Sequence, residues 1–378
     1  MKYINEVDIK DKQVILRCDL NVPIENGIVK DDSRIVKSLE TIKYLLDKNC
    51  RIVILSHLGR IKTREDKFKN SLEPVSKRLS ELLNQEVIFV NEPVGMDVIK
   101  TCKALKSKKI VLLENTRFCD FPEKLESKND ANLALYWSKL GEIFVVDAFG
   151  SLHRNHASVS GISEYLPTYY GFLVKEEIDN LNPVVNNIKR PFTVFMGGAK
   201  IDDKLPYIKE LLPKCDYLLL GGGIANSFLY ALGYDIKNSL CTNDELTLEE
   251  LKTLYNSYAN KIMLPVDFVF DNDCILDLGT KTVEKYIKYF KLSNTIFING
   301  TMGKFEDKKF EKGTKDLFTY INRSNGIKIA GGGDTLTAIN KFSLSKNFDY
   351  LSSGGGASLE YISYGHLKAI DFIEKNSK

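Results

Sequence analysis

The sequence predicts an α/β protein built on doubly wound parallel sheets, and three observations predict it. Short β-rich apolar runs alternate with longer amphipathic helical patterns from end to end. The runs are nearly continuous in hydrophobic residues, as strands are when helices cover both faces of their sheet. In the second half each run ends in glycine, which suits a tight strand-to-helix turn. The chain's 378 residues are long for one core and comfortable for two domains.

Taken in order, the first half places strands at "QVILRCDL", "RIVILSHL", "EVIFVNE", "KIVLLENT" and "EIFVVDAF". Amphipathic stretches such as "SRIVKSLETIKYLLDKN" and "LEPVSKRLSELLN" lie between them and read as helices. "GFLVKEEIDNLNPVVNNIKRP" follows, a charged amphipathic segment closing on Arg190 and Pro191. It reads as a connecting helix, which sets an N-terminal domain at 1–170, a hinge helix at 171–190 and a C-terminal domain at 191–378. The second domain repeats the style with "PFTVFMG", "CDYLLLG", "NTIFING", "GIKIAGG" and "FDYLSSG".

Composition narrows the function classes. Hydrophobic residues make up 43% and charged residues 27%, and the net charge of +3 is too small to argue for a nucleic-acid or membrane partner. The amino terminus has no apolar core of signal-peptide length and no later run could span a bilayer, so the expectation is a cytoplasmic protein. The seven cysteines are scattered without a C-x-x-C pair and read as reduced thiols. His153 and His156 are three apart in "HRNHAS", with no plausible third ligand nearby to make a metal site.

Ligands of open α/β sheets collect outside the carboxyl ends of the strands, and those ends differ between the halves. The first half carries Asp19 and Asn21 in "CDLNVP", His57 and Arg60 in "SHLGR", Arg117 in "ENTRF" and Arg154 in "HRNHAS", with Arg34 opening the helix after the first strand. Every arginine but Arg323 lies before Pro191, and the rigid guanidinium fork suits phosphate and carboxylate. Any one of these arginines reads best as a solvated surface charge; so many at successive strand ends read as a pocket for a small, highly charged anion.

The second half carries glycines instead: Gly197 to Lys200, Gly221 to Gly223, Asn299 with Gly300, Gly331 to Asp334, and Ser353 to Ser358. Glycine turns leading into helix starts offer backbone N–H groups and a positive dipole end to phosphates. Neither G-x-x-x-x-G-K-[ST] nor an amino-terminal G-x-G-x-x-G is present, so the site is neither a P-loop nor the usual dinucleotide turn. Asp334 reads either as a helix N-cap or as a ligand to Mg²⁺, which takes one or two carboxylates beside phosphate oxygens. Lys200 and Lys204 lie on one helix face if a helix begins there, as a solvated pair or as two cations over a phosphate.

These motifs together resemble the phosphoglycerate kinase family along essentially the whole chain. "DLNVP", "SHLGR", "LLENTRF", "VVDAFGSLHRNHAS", "GGAKIDDKL", "LLLGGGIANSF", "LPVD", "FEKGT", "IAGGGDTLTAI" and "SSGGGASLE" stand in the family's order and spacing. The resemblance implies two Rossmann-like domains facing each other across a cleft, joined by a hinge helix, in a monomer. It implies 3-phosphoglycerate or 1,3-bisphosphoglycerate on the first domain, at Asp19, Asn21, Arg34, the loop His57, Leu58, Gly59 and Arg60, Arg117 and Arg154. It implies MgATP or MgADP on the second, at Gly198, Ala199, Lys200, Lys204, Leu276, Asn299, Glu306, Gly332, Gly333, Asp334 and Thr335, with Asp334 holding Mg²⁺. Leu276 and Glu306 rest on the resemblance alone.

The implied reaction has a carboxylate acceptor, already deprotonated at pH 7, so no general base is needed. What it needs is in-line alignment and neutralisation of the phosphoryl group in flight. Arg34, Lys200, Lys204 and backbone amides near Gly333, Gly355 and Gly356 are the candidates for that work. The chain departs from the family pattern at Ile298 and Thr301, where Trp and Pro are usual, and it is shorter than most members between "YANKIML" and "CILDLG".

Overall fold

A computed structural model describes residues 1–376. The chain divides into two compact units, Met1–Asp179 with the C-terminal residues from His366, and Asn180–Gly365. The strands are, in chain order, β1 (Gln13–Cys18), β2 (Ile24–Glu25), β3 (Ile28–Val29), β4 (Arg51–Leu55), β5 (Val87–Val90), β6 (Ile110–Leu113), β7 (Ile143–Asp147) and β8 (Thr168–Tyr170) in the first unit. The second contains β9 (Phe192–Met196), β10 (Tyr217–Leu220), β11 (Ile262–Met263), β12 (Phe268–Asp271), β13 (Cys274–Leu278), β14 (Thr295–Asn299), β15 (Ile327–Gly331) and β16 (Tyr350–Ser352).

The first unit holds a six-stranded parallel sheet in the order β5-β6-β4-β1-β7-β8. β6 and β7 are buried at every residue, and β1 and β4 at every residue but the first, so their hydrophobic runs are continuous because both faces are covered. Val14, Leu16, Ile52, Ile54, Leu112 and Val145 from the strands pack with Ile35, Ile42 and Leu79 from helices Ser33–Asp47 and Glu73–Leu83. Both helices stand where the sequence places them, the second with Pro74 in its first turn, where a missing N–H costs nothing. Trp137 is fully buried and donates its indole N–H to the Pro93 carbonyl at 2.8 Å.

The second unit has the strand order β11-β10-β9-β14-β15-β16, all parallel. Counting only the strands of that sheet in sequence, the order is 3-2-1-4-5-6, the Rossmann order, whose crevice opens between the first and fourth strands. Here those are β9 and β14. Phe195, Leu219, Ile296, Ile298, Tyr286, Phe290 and Phe318 fill the core of this unit. The shortened stretch forms the β12–β13 hairpin, turned by Asn272 and Asp273, both at positive φ as a two-residue hairpin turn demands.

The structure differs from the sequence reading in three places. Each main sheet has six strands where five were expected; the additional ones, β8 and β11, are short edge strands of three and two residues, too brief to show a period. The connecting helix runs Phe172–Val185 and stops before 190, with Pro183 inside it. The division between units falls within this helix, after Asp179, whose carbonyl is the one that Pro183 has no N–H to reach. The second unit ends at Gly365, not at 378: helix Lys368–Asn376 belongs to the first unit, where the amino-terminal NH₃⁺ and the Tyr170 hydroxyl both bond the Glu374 carboxylate. No helix among the described residues is long and apolar enough to cross a membrane.

Candidate functional site

In the first unit the sheet's direction of growth reverses between β1 and β7, and the loops leaving β1, β4, β6 and β7 carry the polar residues. Asp19, nearly buried just past β1, accepts from Arg34 Nη1 through both carboxylate oxygens at 3.0 Å. Asn21 Oδ1 accepts the Gly59 N–H at 3.0 Å. The loop of His57, Leu58 and Gly59 is clamped from behind by Asn115: Oδ1 accepts the Leu58 N–H at 3.1 Å, and Nδ2 donates to the Leu58 carbonyl at 2.7 Å. Arg117 Nη1 donates to the Gly59 carbonyl. Gly59 sits at φ +59°, and a Cβ there would fall 2.1 Å from Asn70 Oδ1. The clamp and the turn fix the loop before any ligand arrives.

Beside this loop lies a cavity of about 340 Å³ that brings Arg60, Arg117 and Arg154 together. Lys62, Lys124, Ser127, Asp120 and His156 also line it, and none of them was singled out from the sequence as a site residue. Arg117 is buried with its guanidinium near Arg154 and Arg17, and burial and those two cations weaken its hold on its proton. Cations held this close favour an anion. The three histidines of the region stay neutral: burial pushes His156 down to about 3 and His153 down to about 4, while burial with Arg17 and Arg117 nearby pushes His57 well down. They offer hydrogen bonds and no charge.

In the second unit a cavity of about 310 Å³ gathers five residues expected for the nucleotide: Gly198, Ala199, Leu276, Glu306 and Asp334. Gly222, Gly223, Asn226, Leu240, Ile275, Thr301, Gly303 and Lys304 complete it. Leu240 comes from a loop with no motif, so nothing in the sequence marks it. Gly197 and Gly198 follow β9 and Gly300 follows β14, which puts the cavity at the switch point of the sheet.

The glycines divide into two kinds. A Cβ on Gly197 would lie 2.0 Å from the Thr301 carbonyl oxygen, and one on Gly300 would lie 2.1 Å from that of Gly197. One on Gly223 would lie 2.1 Å from the Ala199 carbonyl oxygen. These glycines let turns from different strands pack backbone against backbone. Gly333 and Gly355, by contrast, face open space. Of the triplet before Asp334, Gly331 ends β15, Gly332 caps helix Gly333–Lys341 at φ +102°, and only Gly333 presents bare backbone outward.

Asp334 is not the N-cap; Gly332 is, and Asp334 lies in the first turn, exposed, accepting no hydrogen bond among the described residues. Its carboxylate is free for a cation. Lys204 Nζ donates to Asn299 Oδ1, whose amide in turn donates to the Gly331 carbonyl at 3.0 Å. Burial pulls the Lys204 ammonium down to about 8, against the attraction of Asp334 and Asp203. Thr335 is buried and accepts the Gly300 N–H at 2.7 Å, tying β14's turn to the helix. Lys200 and Lys204 do not share a helix face, because the helix starts only at Leu205 and the residues between form a turn. Lys200 is exposed, as is Gly356 at the start of helix Gly356–Tyr364. Thr301, lacking proline's fixed φ, ties its hydroxyl to the Gly303 carbonyl at 3.2 Å.

Glycine turns, one lysine and one uncommitted carboxylate at a Rossmann switch point suit the phosphates of a nucleotide, and the cationic crevice of the other unit suits a small anionic acceptor. That combination defines a nucleotide-dependent phosphotransferase of the α/β class. Comparison with known proteins gives the particular family. The family model for phosphoglycerate kinase matches residues 4–364. The phosphoglycerate kinase of Macrococcus caseolyticus is 42% identical over 98% of this chain and 98% of its own length. That of Mycoplasma genitalium is 41% identical over 100% and 99%. The solved structure of phosphoglycerate kinase from Coxiella burnetii superposes with a TM-score of 0.85 at 35% identity, covering 100% of this chain and 99% of that one. The chain belongs to the phosphoglycerate kinase family, the glycolytic kinases that use ATP and ADP as cosubstrates.

Proposed function

We propose that the crevice of the first unit binds 3-phosphoglycerate or 1,3-bisphosphoglycerate and that the cavity of the second binds MgATP or MgADP. The observation that carries the reading is the convergence of Arg60, Arg117 and Arg154 on one cavity, beside an Arg34 already fixed by Asp19. Three guanidinium groups with two more lysines on the rim match a phosphate, and Arg34 and the His57 loop match the acid end. Gly198, Ala199, Leu276 and Glu306 line the nucleotide's place, with Asn299, Lys204, Gly332, Gly333 and Thr335 around its phosphates.

Magnesium enters with the nucleotide. One exposed carboxylate that bonds nothing else, at a helix start, fits an ion that brings most of its oxygen ligands on the phosphates. Arg34 from one unit, and Lys200, Lys204 and the amides near Gly333, Gly355 and Gly356 from the other, neutralise the phosphoryl group as it passes between two anions. Because the two ligand sets belong to different units, closure about the connecting helix unites them. The chain acts as a monomer, each ligand set being complete in one copy, and in the cytoplasm, which suits seven free thiols.

The test is a coupled assay with 3-phosphoglycerate and MgATP, run beside calorimetry of each ligand alone. Turnover that requires both ligands and magnesium is expected. Tight nucleotide binding with no turnover would make the protein a binding member of its family and refute the proposal.

A further inference from the structure

Arg17 is a charge inside a buried strand. It lies on β1 and is 1% exposed, and each polar atom of its guanidinium is committed. Nε donates to Ser158 Oγ at 3.0 Å, Nη1 donates to the Cys18 carbonyl, and Nη2 lies 3.0 Å from His57 Nδ1. A guanidinium has donors only, so His57 Nδ1 must be the acceptor and the ring's proton must sit on Nε2. A doubly protonated ring would set an N–H against an N–H at that distance.

Behind Arg17 stands Glu126, 0% exposed. Its Oε1 accepts from the Ser158 hydroxyl and from Thr116 Oγ1 at 3.2 Å, and its Oε2 accepts the Ser158 N–H at 2.9 Å. Ser158 has one hydroxyl proton, which goes to Glu126, and so its lone pair is left for Arg17. The order is therefore fixed along the whole row: Glu126 orients Ser158, Ser158 orients Arg17, and Arg17 orients His57. The row joins the loops after β4, β6 and β7 to the middle of the sheet.

We propose that Arg17 and Glu126 are positioning residues that hold His57 as a neutral imidazole with its proton on Nε2, giving the acid site one directed donor and no titrating charge. The inference rests on the reading of this crevice as the acid site. The groups facing His57 agree with it: beside its burial, Arg17 from β1, Arg117 from the turn after β6 and Arg34 from helix Ser33–Asp47 all disfavour a charged ring, and His156 from the loop after β7 is itself neutral. His57 then adds no pH dependence of its own to binding at this site through the range where histidines ordinarily titrate.

The experiment is ¹⁵N nuclear magnetic resonance of the histidine rings in the full chain between pH 5 and 8, with His57 assigned by its loss in His57→Gln. His57 should show the Nε2–H tautomer and no titration, and its signals should move when 3-phosphoglycerate is added. In Arg17→Met the ring should lose its fixed tautomer and show a share of Nδ1–H, with the KM for 3-phosphoglycerate raised about tenfold and that for ATP unchanged, as loss of one oriented hydrogen bond implies. Ser158→Ala, which leaves Arg17 in place, should raise the same KM about threefold and serves if Arg17→Met does not fold. A wild-type ring protonated on Nδ1, or one titrating near pH 6.5, overturns the proposal. So does a folded Arg17→Met or Ser158→Ala protein with both the ring signals and the acid KM unchanged. Signals that show the Nε2–H tautomer yet ignore 3-phosphoglycerate would instead refute the acid-site reading and leave the tautomer assignment standing.

Discussion

Arg34 and Lys204 are held by opposite means, and their variants should fail differently. Arg34 is half-exposed on a helix start but locked by two bonds to a nearly buried Asp19. Arg34→Ala removes the cation proposed for the transition state and leaves that carboxylate without its arginine. Turnover should fall about 10²-fold or more while ADP affinity, measured by calorimetry, stays within about twofold. Lost ADP binding with turnover spared would contradict the assignment. Lys204 is held by burial against Asn299, and burial brings its ammonium down to about 8. In the proposed phosphate site it is charged below that pH and attracts phosphate; above it, the free protein must take up a proton to bind. ADP affinity should therefore fall as pH rises through 8, by at most about tenfold per pH step of one. Lys204→Arg keeps its charge at every accessible pH and should flatten that fall. An equal slope in both proteins would show that another group titrates.

At the scale of an element, the glycine turns teach that one residue type does two jobs that no sequence pattern separates. Gly300 is needed because φ is +106° and the Gly197 carbonyl oxygen stands where a Cβ would go; Gly333 has open space on that side and helical backbone. Gly300→Ala should cost more than about 2 kcal/mol in thermal or urea unfolding. Gly333→Ala should leave stability equal or raise it by about 0.5–1 kcal/mol, as alanine does in a helix, yet weaken ADP binding if phosphates come against that backbone. Unchanged ADP affinity in Gly333→Ala would remove this turn from the phosphate site. The same limit explains what the sequence showed and hid. Asp19, Arg34, Arg60, Arg117 and Arg154 were legible because polar residues at successive strand ends share one edge whatever the details. Arg17 was hidden inside the apolar run "QVILRC", where its only signal was a charge in a strand buried on both faces. The separate roles of Gly300 and Gly333 were hidden because the neighbours that decide them arrive from other loops. Leu276 and Glu306 needed the family's pattern to be named, and both do line the cavity.

At the scale of the whole molecule the layering of both sheets was legible, since continuous apolar runs between amphipathic helices admit few other arrangements. It did not reveal that the chain's last helix returns to the first unit, because an amphipathic helix states which face it buries and not against what. That return makes a prediction about modularity. Leu367, Ala369 and Ile373 are fully buried and Ile370 nearly so, in a segment that also supplies Glu374 to the amino terminus and to the Tyr170 hydroxyl, and the Ala369 N–H to the Leu152 carbonyl. Burying a leucine or isoleucine side chain stabilises by about 1.5–3 kcal/mol, so three of them approach the 5–15 kcal/mol that typically holds a domain together. A chain stopped after Gly365 should therefore lose the first unit's cooperative unfolding transition and its 3-phosphoglycerate binding. Residues 180–365 keep all of their own core, so ADP binding should persist, measured by calorimetry on the same truncated protein. Loss of ADP binding with the acid site intact would mean that the final helix stabilises the second unit, and the division of the chain at Gly365 would have to be redrawn.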